Sequence, residues 1–148
     1  MDKNSLDKII GITGRKIVAC NCTKCQNQCR TPCLGTPDDI LRLIEAGYAS
    51  RLRITYWMVG VMLKKIPYPI PMVQIEKGPN GCVFWENGLC KLHNNGMKPT
   101  EGKLSHHTIT LENYIFELSL SWNVAKTWVD EKNLLKVIKV FVYMEMLK

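Results

Sequence analysis

The sequence predicts a small single domain of the α+β class, 148 residues long, with a β-hairpin and cysteine-rich loops packed on C-terminal helices. Three observations predict this fold. The seven cysteines fall into two tight groups, an Asn-Gly dipeptide lies inside the second group, and helical apolar periodicity follows residue 110. We divide residues 1–148, as one domain, into a cysteine-cluster region at 20–103 and a helical region at 110–148.

The first elements are predicted to be two short helices. Residues 5–18 combine apolar side chains with two glycines, which favours a short helix followed by an extended lead-in. A second helix is predicted from Thr36, which can cap it, with Pro37 at the first helical position and two acids at the positive end of the dipole. Gly47 is a suitable C-terminal stop for this helix.

The middle of the chain contains its longest apolar run, Ile54–Leu63. The run is about half of the ~20 residues that a membrane-spanning helix requires, so we expect a core element and no membrane partner. Periodicity does not separate a strand from a buried helix here. Residues 67–71 contain three prolines and predict an extended connector, and the alternation at 72–76 predicts a strand.

The second cysteine group predicts a hairpin. Asn87-Gly88 is the dipeptide most typical of short hairpin loops, and we expect Cys82 and Cys90 to lie opposite each other near its open end. Beyond it, one helix is predicted from Thr110 to about Trp128, and Asp130 is predicted to cap a final helix. We expect these helices to supply most of the core. The predicted apolar face of the final helix comprises Leu134, Leu135, Ile138, Phe141, Val142 and Met146.

The cysteines are candidate metal ligands. Free cysteines behave as small buried hydrophobes, whereas these lie among polar residues at ligand spacing, as in Cys22-x2-Cys25. His93 follows Cys90 at the same spacing. The candidate ligands are Cys20, Cys22, Cys25, Cys29, Cys33, Cys82, Cys90 and His93.

The spacing indicates a metal more clearly than it indicates which metal. Zinc is favoured because closed four-ligand sites of cysteine and histidine are typical of it, and an iron–sulfur cluster would use the same residues. A disulfide framework is disfavoured because the number of cysteines is odd, Cys20 and Cys22 are too close to pair, and no secretory signal is visible. We therefore predict a cytoplasmic protein with reduced thiols.

The net charge of +7 is partly a counter-charge to such a site. Four thiolates around one zinc carry a net charge of −2, which lowers the total to about +5. The basic clusters Lys64-Lys65 and Arg51-Leu52-Arg53 are typical of a solvated face. A nucleic-acid partner is therefore disfavoured, and a protein partner is left open.

The cysteine motifs resemble a known family. The runs Cys33-Leu34-Gly35-Thr36-Pro37-Asp38-Asp39-Ile40, Cys82-Val83-Phe84 and Cys90-Lys91-Leu92-His93 are similar to the zinc- or iron-chelating domain of the YkgJ type. The resemblance implies that the ligands are Cys22, Cys25, Cys29, Cys33, Cys82 and Cys90. Gly102 stands where that family has its last cysteine, and Lys98 replaces its arginine. Either one site is lost or His106 or His107 supplies the ligand.

These observations favour a metal-binding protein holding one or two ions. Two other hypotheses stay open. One is an enzyme whose metal or iron–sulfur cluster keeps an open coordination position, for which no catalytic residue is assigned. The other is a nucleic-acid or protein adaptor stabilised by zinc.

Overall fold

The structure is a computed structural model. It describes residues 5–14, 34–78, 81–82, 85–86, 89–90, 99–104 and 115–146. The α-helices within these residues are α1 Ser5–Thr13, α2 Pro37–Glu45, α3 Val59–Met62, α4 Thr100–Leu104, α5 Leu120–Ala125 and α6 Leu134–Met146. The strands are β1 Leu52–Trp57, β2 Ile70–Ile75, β3 Lys77–Gly78, β4 Gly81–Cys82, β5 Trp85–Glu86 and β6 Leu89–Cys90. Single 3₁₀ turns occur at Ala49–Arg51, Phe116–Leu118, Lys126–Trp128 and Glu131–Asn133.

An antiparallel pair of strands packed against helices confirms the α+β class. Strands β1 and β2 pair along their whole length, from Leu52 opposite Ile75 to Trp57 opposite Ile70. Five of the six residues of β2 are buried, whereas β1 buries only its two end residues. The strand predicted at 72–76 is therefore confirmed, with its start two residues earlier.

The longest apolar run divides into two elements. Residues up to Trp57 belong to β1, and the following turn forms α3. Within Ile54–Leu63 only Trp57 and Gly60 are buried. The expectation of a core element was therefore wrong for most of the run, because β1 is the less buried strand of the pair and its four middle residues are exposed or half-buried.

Helix α2 has the ends that its sequence predicts. The Thr36 hydroxyl accepts a hydrogen bond from the Asp39 N–H (3.3 Å), and the Asp39 carboxylate accepts one from the Thr36 N–H (2.9 Å), which completes a capping box. After Ala46, Gly47 adopts a φ of +93°, and Tyr48 N–H donates to the Leu43 carbonyl (2.9 Å). This is a Schellman turn, which explains the glycine.

The β1–β2 pair supplies half of the main core. Within the part of the chain that the structure describes, six of the twelve buried residues of the main apolar cluster come from these strands, and four come from the C-terminal helical segments. The expectation that the C-terminal helices would supply most of the core was wrong. A second, smaller cluster joins Ile9 of α1 and Leu104 of α4 to Leu120 and Val124 of α5.

Helix α6 packs through a different face from the predicted one. Asp130 accepts a hydrogen bond from the Lys132 N–H (3.1 Å) and caps the 3₁₀ turn that leads into α6. The residues that contact the core are Val137, Val140, Phe141 and Met144. Five of the six predicted face residues are exposed instead, namely Leu134, Leu135, Ile138, Val142 and Met146. Among the described residues, no helix has the length and apolar character needed to cross a membrane.

Candidate metal centre

The predicted ligands are divided between described and undescribed parts of the chain. Cys82 and Cys90 lie in β4 and β6. The remaining candidates fall outside the described residues, and these are Cys20, Cys22, Cys25, Cys29, Cys33, His93, His106 and His107. Within the described part of the chain, no three His, Cys, Asp or Glu residues come together as a possible metal site.

The hairpin of the second cysteine group is present, but its register differs from the expected one. Strands β5 and β6 pair Trp85 with Cys90 and Glu86 with Leu89, and the predicted turn at Asn87-Gly88 lies between them, outside the described residues. Cys82 pairs with Lys77 in the separate β3–β4 ladder. The expectation that Cys82 and Cys90 are opposite each other was therefore wrong, because a two-residue loop makes Trp85 the partner of Cys90.

The residue that follows the first cysteine group is hydrogen-bonded to a residue of α4, downstream of the second group. Leu34, the residue after Cys33, donates its N–H to the Glu101 carboxylate (3.2 Å). The Leu34 carbonyl accepts a hydrogen bond from the Glu101 N–H (3.0 Å). Glu101 immediately precedes Gly102, the position at which the YkgJ-type domain has its last cysteine. Two segments that are 67 residues apart in sequence therefore meet where the first cysteine group ends.

Gly35 is held by two buried side chains from other elements. Its N–H donates to Oε1 of Gln74 (2.8 Å), and its carbonyl accepts from Nε2 of Gln74 (3.0 Å) and from Nε1 of Trp128 (2.8 Å). A Cβ at this position would lie 3.1 Å from the Asp39 Cβ and 3.3 Å from Cδ1 of Ile40. The close approach favours glycine here, and the three hydrogen bonds fix the backbone two residues after Cys33.

The Asp39 carboxylate ties helices α2 and α4 together. Its Oδ2 accepts hydrogen bonds from the Thr36 N–H, the Thr100 N–H (2.8 Å) and the Thr100 hydroxyl (2.5 Å). Asp39 is only 5% exposed. These three donors compensate for the loss of water around a buried carboxylate. We call the residues Leu34–Thr36, Asp39, Gln74, Pro99–Glu101 and Trp128 the junction.

Sequence reasoning missed most of the junction. It assigned Asp39 to the helix dipole alone. Gln74 carried one available signal, since it is a polar residue inside a strand that is otherwise apolar or proline. No local pattern indicates that Thr100 and Gly35, 65 positions apart, belong to one network.

A cavity of about 420 Å³ opens beside the junction. Thr36, Asp39 and Thr100 line its inner part, so the cavity shares residues with the network that fixes the segment ends. Lys136 of α6 forms a 2.7 Å ion pair with Asp38 across it. The cavity is therefore polar, with groups of both charges on its walls.

Comparison of the chain with protein-family models, with curated proteins and with solved structures gives no match. The resemblance to the YkgJ-type domain therefore stays a prediction that depends on the cysteine motifs alone.

Proposed function

We propose that this chain is a metal-binding protein in which the two cysteine groups hold one or two ions, with zinc favoured over an iron–sulfur cluster. The observation that supports it best is the pair of hydrogen bonds between Leu34 and Glu101. They join the residue after the first cysteine group to Glu101 of α4, which follows the second group in the sequence. Membership of the YkgJ-type family is part of the same proposal.

The donor set fits this function. Seven thiols and His93 supply the soft and borderline ligands that zinc and iron–sulfur clusters prefer. Cys33 is covalently attached to Leu34, which the junction holds in place through Glu101, while Gln74 and Trp128 hold Gly35. A rigid backbone beside a ligand reduces the entropy that is lost when the ion binds.

The ion would act mainly on folding. Ligands from segments distant in sequence close a long loop when they share one ion, so binding free energy becomes folding free energy. In the cytoplasm, where thiols stay reduced, such a site replaces the disulfides that secreted proteins use.

Metal content and a matched pair of variants test the proposal. Protein purified without oxygen is expected to contain one or two zinc ions per chain and to be colourless, whereas a brown protein would reassign the site to an iron–sulfur cluster. Cys33→Ser and Cys90→Ser are each expected to reduce the bound metal and the melting temperature. Ser119→Ala, which removes a hydroxyl that caps α5, is the control that lowers stability without lowering metal content. Protein that is folded, free of metal and unable to take up zinc would refute the proposal.

A further inference from the structure

The connection between β1 and β2 exposes most of the longest apolar run in the chain. Of the ten residues in Ile54–Leu63, six are exposed apolar side chains, and Met62 reaches 75% exposure. Gly60 turns inward instead, because a Cβ there would lie 2.6 Å from Cγ1 of Ile66. Helix α3 therefore presents its apolar side chains outward on a single turn held against the protein at Gly60.

Lys65 connects this exposed run to a neighbouring turn. The Nζ of Lys65 lies 3.9 Å from Oε1 of Glu117 and 6.0 Å from the ring centre of Phe116. Ile115 and Leu118, on either side of these two residues, are 52% and 49% exposed. A group of exposed apolar side chains such as this is typical of a contact with another molecule or a membrane. We call Met58, Val59, Met62, Leu63, Ile115 and Leu118 the apolar apex.

The backbone at Lys64 gives a second, independent indication. Lys64 N–H donates to the Val61 carbonyl (3.0 Å) and Lys65 N–H to the Gly60 carbonyl (2.8 Å), which is a Schellman turn. Lys64 has a φ of +59°, in the left-handed region that glycine occupies at the equivalent position after α2. A lysine there is strained relative to glycine. Strain of this kind at an exposed position points to a role for the side chain.

We propose that the apolar apex binds the surface of an anionic lipid bilayer, which departs from the expectation of no membrane partner that the length of the run suggested. The apolar side chains would enter the boundary between headgroups and acyl chains, while Lys64 and Lys65 contact anionic headgroups. Tyr56 and Tyr68, which are 61% and 51% exposed on either side of α3, have the amphipathic rings that are enriched at membrane interfaces. This proposal is independent of the metal site.

The shape and charge of the apex favour a lipid surface over a protein partner. The apolar residues of the apex lie on or beside two short elements, the single turn of α3 and the 3₁₀ turn Phe116–Leu118, which are too short to form the groove that receives an amphipathic helix. Lys64 and Lys65 outnumber Glu117, the ion-pair partner of Lys65, so this edge of the apex keeps a positive charge that complements a negatively charged surface.

Flotation of the full-length, metal-loaded protein with lipid vesicles tests the proposal. Binding is expected to vesicles that contain phosphatidylserine, to weaken in high salt, and to be much weaker to vesicles of phosphatidylcholine alone. The double variant Met62→Glu/Leu63→Glu is expected to bind at least about tenfold more weakly, because it adds two charges to the inserted surface. Leu135→Glu on α6, where the side chain is 81% exposed, is the matched control and keeps wild-type binding.

Lys64→Gly separates lipid binding from a structural role. It relieves the left-handed backbone, so the melting temperature is expected to stay equal or rise, while binding to phosphatidylserine vesicles falls about fivefold. Absence of wild-type binding, or wild-type binding by the Met62/Leu63 variant, would overturn the proposal. A second result would also overturn the proposal. If the wild type forms a dimer in analytical ultracentrifugation, the Met62/Leu63 variant is a monomer, and the wild type does not bind vesicles, the apex contacts a second copy of the chain instead of a lipid surface.

Discussion

Helices α2 and α6 differ in how well their sequences define the face that packs. Helix α2 has polar residues at Asp38, Asp39, Arg42 and Glu45, so its apolar face is unambiguous, and Ile40 and Leu43 of that face are completely buried. Helix α6 has only Lys136, Lys139 and Glu145 as charged residues among thirteen. A helix that is apolar on most sides can pack through several faces, so the rest of the structure selects one.

The largest expected loss of stability is at Leu43 of α2, and Leu135 of α6 is the comparison. Leu43→Ala on α2 should lower the free energy of unfolding by about 3 kcal/mol, because it leaves a cavity where the side chain is fully buried. Leu135→Ala on α6 should change it by less than about 0.5 kcal/mol, because that side chain is 81% exposed. Urea unfolding measures both. A loss at Leu135 similar to that at Leu43 would mean that α6 buries its predicted face after all.

The next largest effect concerns the polar side of α2. Asp39→Ala should lower the free energy of unfolding by about 2 kcal/mol, since it leaves the Thr36 N–H and both Thr100 donors without their acceptor. Asp39→Asn keeps one side-chain oxygen and should lose less. If both substitutions leave stability unchanged by urea unfolding, the junction does not contribute to the fold.

The smallest effect is expected where the two helices meet through charge. The Asp38–Lys136 ion pair joins α2 to α6, but its side chains are 30% and 46% exposed. Asp38→Asn should therefore lower the free energy of unfolding by at most about 1 kcal/mol, and less in high salt. A double-mutant cycle with Lys136→Met measures the pairwise coupling. Coupling that persists undiminished in high salt would contradict the expected solvent screening.

The capped start of α2 and the hairpin loop at Asn87-Gly88 were both predicted, since each depends on residues within a few positions. The prediction that Cys82 and Cys90 pair with each other was wrong, because the pairing partner of each cysteine depends on where each two-stranded ladder ends. The metal assignment itself stays a prediction, supported by cysteine spacing and by the junction.

The sequence by itself determined the α+β class, both ends of α2 and the two cysteine groups, because propensity, capping and ligand spacing are local properties of the chain. Only the tertiary structure decided that the middle of β1 is exposed and which face of α6 is exposed. It also decided that Gly35, Asp39, Gln74, Thr100 and Trp128 form one network. The physical reason is that burial depends on which distant segments meet, and hydrogen bonds between such segments leave no periodic signal in the sequence.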